Sequence, residues 1–249
     1  MVAFDATESL TPYRNADGEG AILFDASQLR QVDPRWFDPA QWGERATPVQ
    51  GSGRGGAWFI DASHGPCVLR QYRRGGWAAL FSEHRHLWRG SRHVRSFAEF
   101  RLLRTLVRKG LPVPHPIAAC YVRRGMGYRA SILLARIVDA QTLADLVALS
   151  PAQAPWEEAG RLVARFHRAG LDHADLNASN LLFDAAGEGW VIDLDRSALR
   201  IPETAWREGN LARLKRSLLK LRGARAAADV EGDFKRLRKA YDDAWAKGY

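Results

Sequence analysis

The chain has 249 residues, 46% of them hydrophobic, enough for one sizeable core and too few for a string of modules. Its 37 Lys and Arg outweigh 28 Asp and Glu, giving a formal net charge of +9 that points to anionic partners. The two cysteines, Cys67 and Cys120, lack CxxC spacing, which excludes a disulfide scaffold and a zinc site and suits a reducing cytoplasm.

The first ten residues carry Asp5 and Glu8 and no basic start followed by an apolar run, so no secretory signal is expected. Short β-type runs follow at 47–50, 57–61 and 67–72, separated by Gly-rich or His64-Gly65-Pro66 turn signals, and read as an antiparallel meander. A helix comes next. Ser96 is its expected N-cap, Phe100, Leu103 and Val107 form its inward face, and Gly110 is its stop. The charge-free stretch 110–122 holds Pro112, Pro114 and Pro116, so it cannot cross a bilayer and any membrane contact must be peripheral. It marks instead a junction between two lobes.

Beyond it, 131–138 reads as a buried strand. Trp156 to Ala169 reads as a helix with Ala159, Leu162, Val163 and Phe166 on one face and Gly170 as its stop. Two short strands, 181–183 and 190–192, flank a turn, and the remainder looks mainly helical. The first 45 residues resist assignment.

The chemistry concentrates in His173-Ala174-Asp175-Leu176-Asn177-Ala178-Ser179-Asn180, followed by Ile192-Asp193-Leu194-Asp195. In protein kinases the H-R-D-x-x-x-x-N loop supplies an Asp that takes the acceptor hydroxyl proton and an Asn that binds Mg²⁺, and the D-F-G Asp holds the same metal region. Asp175, Asn180 and Asp193 fall at those positions. D-x-x-x-x-N recurs by chance in loops, because Asp and Asn bond locally to backbone. Here the loop follows an amphipathic helix and Asp193 follows a short apolar strand, as a kinase requires. His167 and His173 are expected to pack beneath the loop.

Upstream, Gly51 to Gly56 lies between two expected strands, where Gly53 and Gly55 could cover nucleotide phosphates or simply form a flexible turn. Arg70 ends its strand where a protein kinase has the phosphate-binding Lys, so the charge is kept and the geometry changed. Arg73 or Arg74 could serve instead. Glu99 is the candidate carboxylate to pair with this cation, or it closes a capping box onto Ser96. Between 70 and 108 stand ten Arg against two acids, a solvated face or an anion site of which Arg92 and Arg95 are the preferred substrate contacts. Leu211, Leu214, Leu218 and Leu221 make a helical stripe beside basic residues, either core packing or an amphipathic face near anionic lipid.

Several longer strings are more specific. Val68-Leu69-Arg70-Gln71-Tyr72-Arg73-Arg74-Gly75-Gly76, Arg95 to Leu103, Gly110-Leu111-Pro112-Val113-Pro114, His167 to Ala178, Ile192 to Arg196 and Trp206 to Leu221 together resemble the Kdo kinases (3-deoxy-D-manno-octulosonic acid kinases) over most of residues 34–222. Leu194 stands where that family's pattern has Phe. The resemblance implies an α+β, bilobal protein-kinase-like fold, with a small antiparallel-sheet N-lobe carrying one main helix and a larger, mainly helical C-lobe. The expected parts are an N-terminal segment at 1–45, N-lobe and hinge at 46–138, and C-lobe at 139–249. It also implies ATP and Mg²⁺ as cofactors. The expected reaction is phosphorylation of the 4-hydroxyl of Kdo on a lipid A precursor, at the cytoplasmic face of the inner membrane. Asp175 would be the base, Asn180 and Asp193 the metal ligands, and Gly53, Gly55, Arg70 and Glu99 the nucleotide contacts. The partners are then an anionic, Kdo-bearing lipid and the membrane surface, with no nucleic acid and no obligate protein. A kinase of heptose or of a small molecule, a pseudokinase, and a basic nucleic-acid module are the rival readings. The last lacks any RNP or zinc-finger signature.

Overall fold

A computed structural model describes residues 7–49, 56–72 and 86–248. The chain divides into two compact units, one of residues 1–104 and 115–136, the other of residues 105–114 and 137–249.

The first unit is built on an antiparallel sheet. Its strands are β1 (Glu8–Asn15), β2 (Gly18–Asp25), β3 (Ala46–Pro48), β4 (Ala57–Ala62), β5 (Gly65–Gln71), β6 (His86–Leu87), β7 (Pro116–Arg124) and β8 (Gly127–Ala135). Their order is β1-β2-β7-β8-β5-β4-β3, with β6 added against β8. The residues before 46 thus contribute two full strands and a cover. Asp33 and Asp38 cap the 3-10 turns Pro34–Phe37 and Pro39–Arg45. These turns drive Phe37 and Trp42 into a core of Ile22, Phe24, Ile60, Cys67, Leu69, Ala118, Cys120 and Leu133. Burial pushes the two free thiols up, Cys67 to about 11 and Cys120 to about 12, so both act as small apolar fillers.

Helix α1 (Arg95–Arg108) starts two residues earlier than a Ser96 cap would allow. Val94 C=O accepts the first helical bond from Ala98 N–H at 3.0 Å, while the Ser96 hydroxyl donates to Cys120 C=O at 2.8 Å. Ser96 therefore ties helix to sheet, and the expectation that it caps the helix is corrected. Phe97, Phe100, Leu103 and Leu106 are buried, and Val107 is only half-buried. Arg104 lies on the same buried side and meets Asp25 of β2 at 2.7 Å. Gly110 ends the helix at φ +68°, with Gly110 N–H on Val107 C=O and Leu111 N–H on Leu106 C=O, a Schellman motif.

The second unit is mainly helical. It contains β9 (Ala140–Thr142), α2 (Leu143–Leu149), α3 (Trp156–Arg168), β10 (Leu171–Asp172), β11 (Leu181–Asp184), β12 (Gly189–Val191), β13 (Ala198–Leu199), α4 (Thr204–Lys220) and α5 (Ala227–Lys247). On α3, Ala159, Leu162, Val163 and Phe166 are buried as their spacing predicts. Gly160 lets α3 and α5 approach, since a β-carbon there would sit 2.2 Å from Leu237 C=O. Gly160→Ala is expected to lower unfolding free energy by about 1–3 kcal/mol through overpacking against backbone. Urea titration checks this, and an unchanged midpoint would contradict the close fit.

Candidate functional site

Residues 173–197 form a loop region closed at both ends by strand ladders. At one end β10 pairs with β13, Leu171 opposite Leu199. At the other β11 pairs with β12, Leu181 opposite Val191. The second ladder sets Asn180 beside Ile192, whose N–H donates to Asn180 C=O at 3.0 Å. His173 then ties the two functional segments together. Its Nδ1 accepts Asp175 N–H at 3.1 Å, which leaves Nε2 to donate to Ile192 C=O at 3.0 Å. A single buried imidazole thus fixes both the backbone of Asp175 and the residue preceding Asp193.

Asp175 keeps an exposed side chain, touched by Asn177 Nδ2 at 3.3 Å. The buried Asn180 donates Nδ2 to Asp175 C=O at 2.9 Å, so its Oδ1 is the end left for another ligand. Asp193 takes φ +57°, a left-handed backbone that few residues other than glycine, Asn and Asp adopt readily. Leu194, next to it, is fully buried.

Helix α4 supports this loop with a polar stripe that sequence reasoning missed. Asn210, Arg213 and Ser217 recur at i, i+3 and i+7, and each reaches loop backbone. Asn210 Oδ1 accepts His173 N–H at 3.0 Å, Arg213 donates to His173 C=O at 3.4 Å, and Ser217 Oγ accepts Ala178 N–H at 3.0 Å. Asn210 Nδ2 also donates to Asp172 at 2.9 Å. The signal was present in the sequence, one helical face over from the leucines. Of those, Leu211, Leu214 and Leu218 are buried core residues, while Leu221 is exposed.

Burial holds both histidines neutral. It depresses His173, and it brings His167, whose ring meets Tyr241 Oη at 3.0 Å, down to about 3 from the ordinary 6.5. Below pH 6.5 the unfolded chain binds protons that the folded chain refuses, so stability falls as pH falls. For His167 the loss is expected to be about 2 kcal/mol between pH 7 and 5. Urea unfolding at the two pH values measures it, with His167→Gln removing that share; an equal pH slope in the variant would contradict the assignment.

In the first unit, Arg70 of β5 is ion-paired with Glu99 of α1, and Tyr72 Oη also donates to the Glu99 carboxylate. Glu99 is therefore engaged across to β5, and a capping box with Ser96 is not formed. The Arg70 and Arg95 guanidiniums lie 5.0 and 5.5 Å from the centre of the Tyr72 ring. Arg92 is exposed in the turn Ser91–His93. Gly53, Gly55, Arg73 and Arg74 lie outside the described residues.

The oxygen donors of Asn180 and Asp193 suit Mg²⁺, a hard cation that keeps several waters and shares its shell with phosphate oxygens. Among the described residues no group of three or more His, Cys, Asp or Glu forms a metal cluster, and no helix is long and apolar enough to cross a membrane.

The model of the Lipopolysaccharide kinase (Kdo/WaaP) family matches residues 39–241. The 3-deoxy-D-manno-octulosonic acid kinase of Xanthomonas campestris pv. campestris (strain B100) is 61% identical over 249 residues, covering 100% of both chains. That of Stenotrophomonas maltophilia (strain K279a) is 61% identical over 248 residues, again covering 100% of both. A solved structure titled WaaP in complex with acyl carrier protein is 17% identical, with a TM-score of 0.49, covering 97% of this chain and 99% of that one. With an α+β architecture of antiparallel sheet, pairing helix and loop-bearing helical unit already in view, the family match and the full-length identities place this phosphotransferase in the lipopolysaccharide kinase (Kdo/WaaP) family.

Proposed function

We propose that the protein transfers the γ-phosphoryl group of ATP to the 4-hydroxyl of Kdo carried on a lipid A precursor, peripherally associated with the cytoplasmic face of the inner membrane. The observation that supports this most is the His173 bridge, which holds the Asp175 and Asp193 segments in one arrangement. Phosphoryl transfer asks a protein mainly to position an acceptor and to stabilise charge, so a rigid loop bearing an exposed carboxylate suits it.

In this reading Asp175 accepts the hydroxyl proton, and its exposure leaves it open to an entering alcohol. Asn180 and Asp193 hold Mg²⁺, which when bound neutralises phosphate oxygens. Arg70, oriented by Glu99 and Tyr72, binds the α- and β-phosphates, where its planar fork can engage two oxygens at once. Gly53 and Gly55 cover those phosphates, while Arg92 and Arg95 bind the acidic acceptor. The segment 1–45 completes the N-lobe, with 46–138 as N-lobe and hinge and 139–249 as C-lobe.

Incubation with Mg²⁺, labelled ATP and separate Kdo-lipid, heptose-bearing and protein acceptors tests the reading. Label on the Kdo lipid alone is expected. Label on heptose alone would move the substrate, and nucleotide binding without transfer would leave a pseudokinase.

A further inference from the structure

The tip of the β7–β8 hairpin brings apolar and basic groups together on one edge of the sheet. Gly125, at φ +61°, turns the chain so that Met126 projects with 80% of its surface exposed. Strand β6 pairs alongside, Leu87 opposite Gly127, and Trp88 N–H donates to Met126 C=O at 2.9 Å. Leu87, itself 49% exposed, thus lies on the strand beside the hairpin tip, followed by the half-buried Trp88. Single exposed apolar side chains are ordinary, but adjacent ones on one rim are less so.

The rim is cationic. Residues 86–95 and 121–129 contain Arg89, Arg92, Arg95, Arg123, Arg124 and Arg129 and no Asp or Glu. The carboxylates across the neighbouring hairpin are occupied, Asp17 by Arg129 and Glu19 by Arg14. Arg89, Arg92, Arg123 and Arg124 have no carboxylate partner among the described residues, and all four are exposed. The Arg123 guanidinium lies 5.1 Å from the centre of the Trp88 ring. Tyr128 braces the patch: its ring lies 5.9 Å from Trp88, and its hydroxyl meets His93 C=O at 3.4 Å and Arg95 N–H at 3.3 Å. Arg95 in turn lies over Tyr72 beside Arg70 and Glu99.

Exposed thioether and aliphatic groups at one end of the sheet, with an indole and exposed guanidiniums in the same segments, match the chemistry of a bilayer interface. The apolar tips would enter the headgroup boundary, the indole would sit at it, and Arg would pair with lipid phosphates. We propose that this edge, centred on Met126, Leu87 and Trp88 and carrying Arg89, Arg92, Arg123 and Arg124, is the surface that docks the protein on an anionic lipid bilayer. It deepens the function proposed above, because it sets the membrane surface beside Arg92 and Arg95, to which that reading gives the acceptor.

Co-sedimentation of the full chain with vesicles containing phosphatidylglycerol, or made of phosphatidylcholine alone, tests it. Wild type is expected to bind the anionic vesicles at least about tenfold more tightly, with the preference falling as salt rises. Met126→Asp with Leu87→Asp, and separately Arg123→Gln with Arg124→Gln, are each expected to weaken that binding by on the order of tenfold or more. The arginine pair is also expected to flatten the salt dependence. The second pair keeps the test open if the first perturbs folding. Wild type that ignores anionic vesicles, or variants that bind them as wild type does, would overturn the docking surface. Both variants are expected to keep wild-type phosphorylation of a water-soluble, deacylated Kdo acceptor and to lose it on the vesicle-borne lipid. Wild type that binds vesicles yet phosphorylates neither acceptor would sink the proposed reaction and leave the docking surface standing.

Discussion

Asp175→Asn is expected to lower the turnover of phosphoryl transfer by on the order of 10²–10⁴, the usual scale for losing a positioned general base. The fold should survive. Asp175 is exposed, its side chain accepts a hydrogen bond only from Asn177 Nδ2 among the described residues, and what anchors the loop is its backbone, through His173 Nδ1 and Asn180 Nδ2. An amide at this position keeps an oxygen for Asn177 and loses the ability to take a proton. Melting temperature should therefore stay within about 2 °C of wild type. Affinity for the nucleotide should also hold, because the metal oxygens assigned to Asn180 and Asp193 are untouched. A variant with near-wild-type turnover would remove Asp175 from the mechanism, and one that melts much lower would show the carboxylate to be structural.

The spacing of Asp175, Asn180 and Asp193 was legible because it belongs to a chemistry that recurs with few residue types. The tie between the Asn180 and Asp193 segments was not, since it depends on the β11–β12 register that puts Ile192 N–H on Asn180 C=O. His173 was expected to pack beneath the loop; that it joins two loops through opposite ring nitrogens follows only from three-dimensional placement. Helix α1 and its Gly110 stop were readable from period and punctuation. Its start was not, because Ser96 with Glu99 satisfies the capping-box pattern while both side chains are drawn away, one to Cys120 C=O and the other to Arg70 and Tyr72. Strand β7 was hidden behind three prolines read as punctuation; only Pro116 falls within it, at its first position, where a missing N–H is tolerated. In β2, Ala21 to Phe24 is a continuous buried run with no alternation to betray a strand. On α4 the leucine stripe drew attention from Asn210, Arg213 and Ser217, because a polar face that serves a neighbouring loop carries the same periodicity as one that serves water.

Asp193→Asn separates the metal role from the backbone role of that position. Asp193 sits at φ +57°, a conformation that costs most residues roughly 1–2 kcal/mol but that Asn tolerates about as well as Asp. Alanine would mix lost charge with added strain, whereas asparagine keeps the backbone, the reach and one oxygen and removes only the negative charge. If that charge holds Mg²⁺, the variant should lose the Mg²⁺-dependent part of ATP binding. The dissociation constant of Mg·ATP should rise by at least about a hundredfold, given that partners one step removed from a metal already account for roughly 10–100-fold. ATP without metal should bind both proteins alike, since the Arg70–Glu99 pair in the first unit is unchanged. Calorimetric titration with and without Mg²⁺ reads the difference directly. Equal Mg·ATP affinity in variant and wild type would mean that the strained backbone of Asp193 serves the loop's shape alone, and the metal would have to be assigned elsewhere.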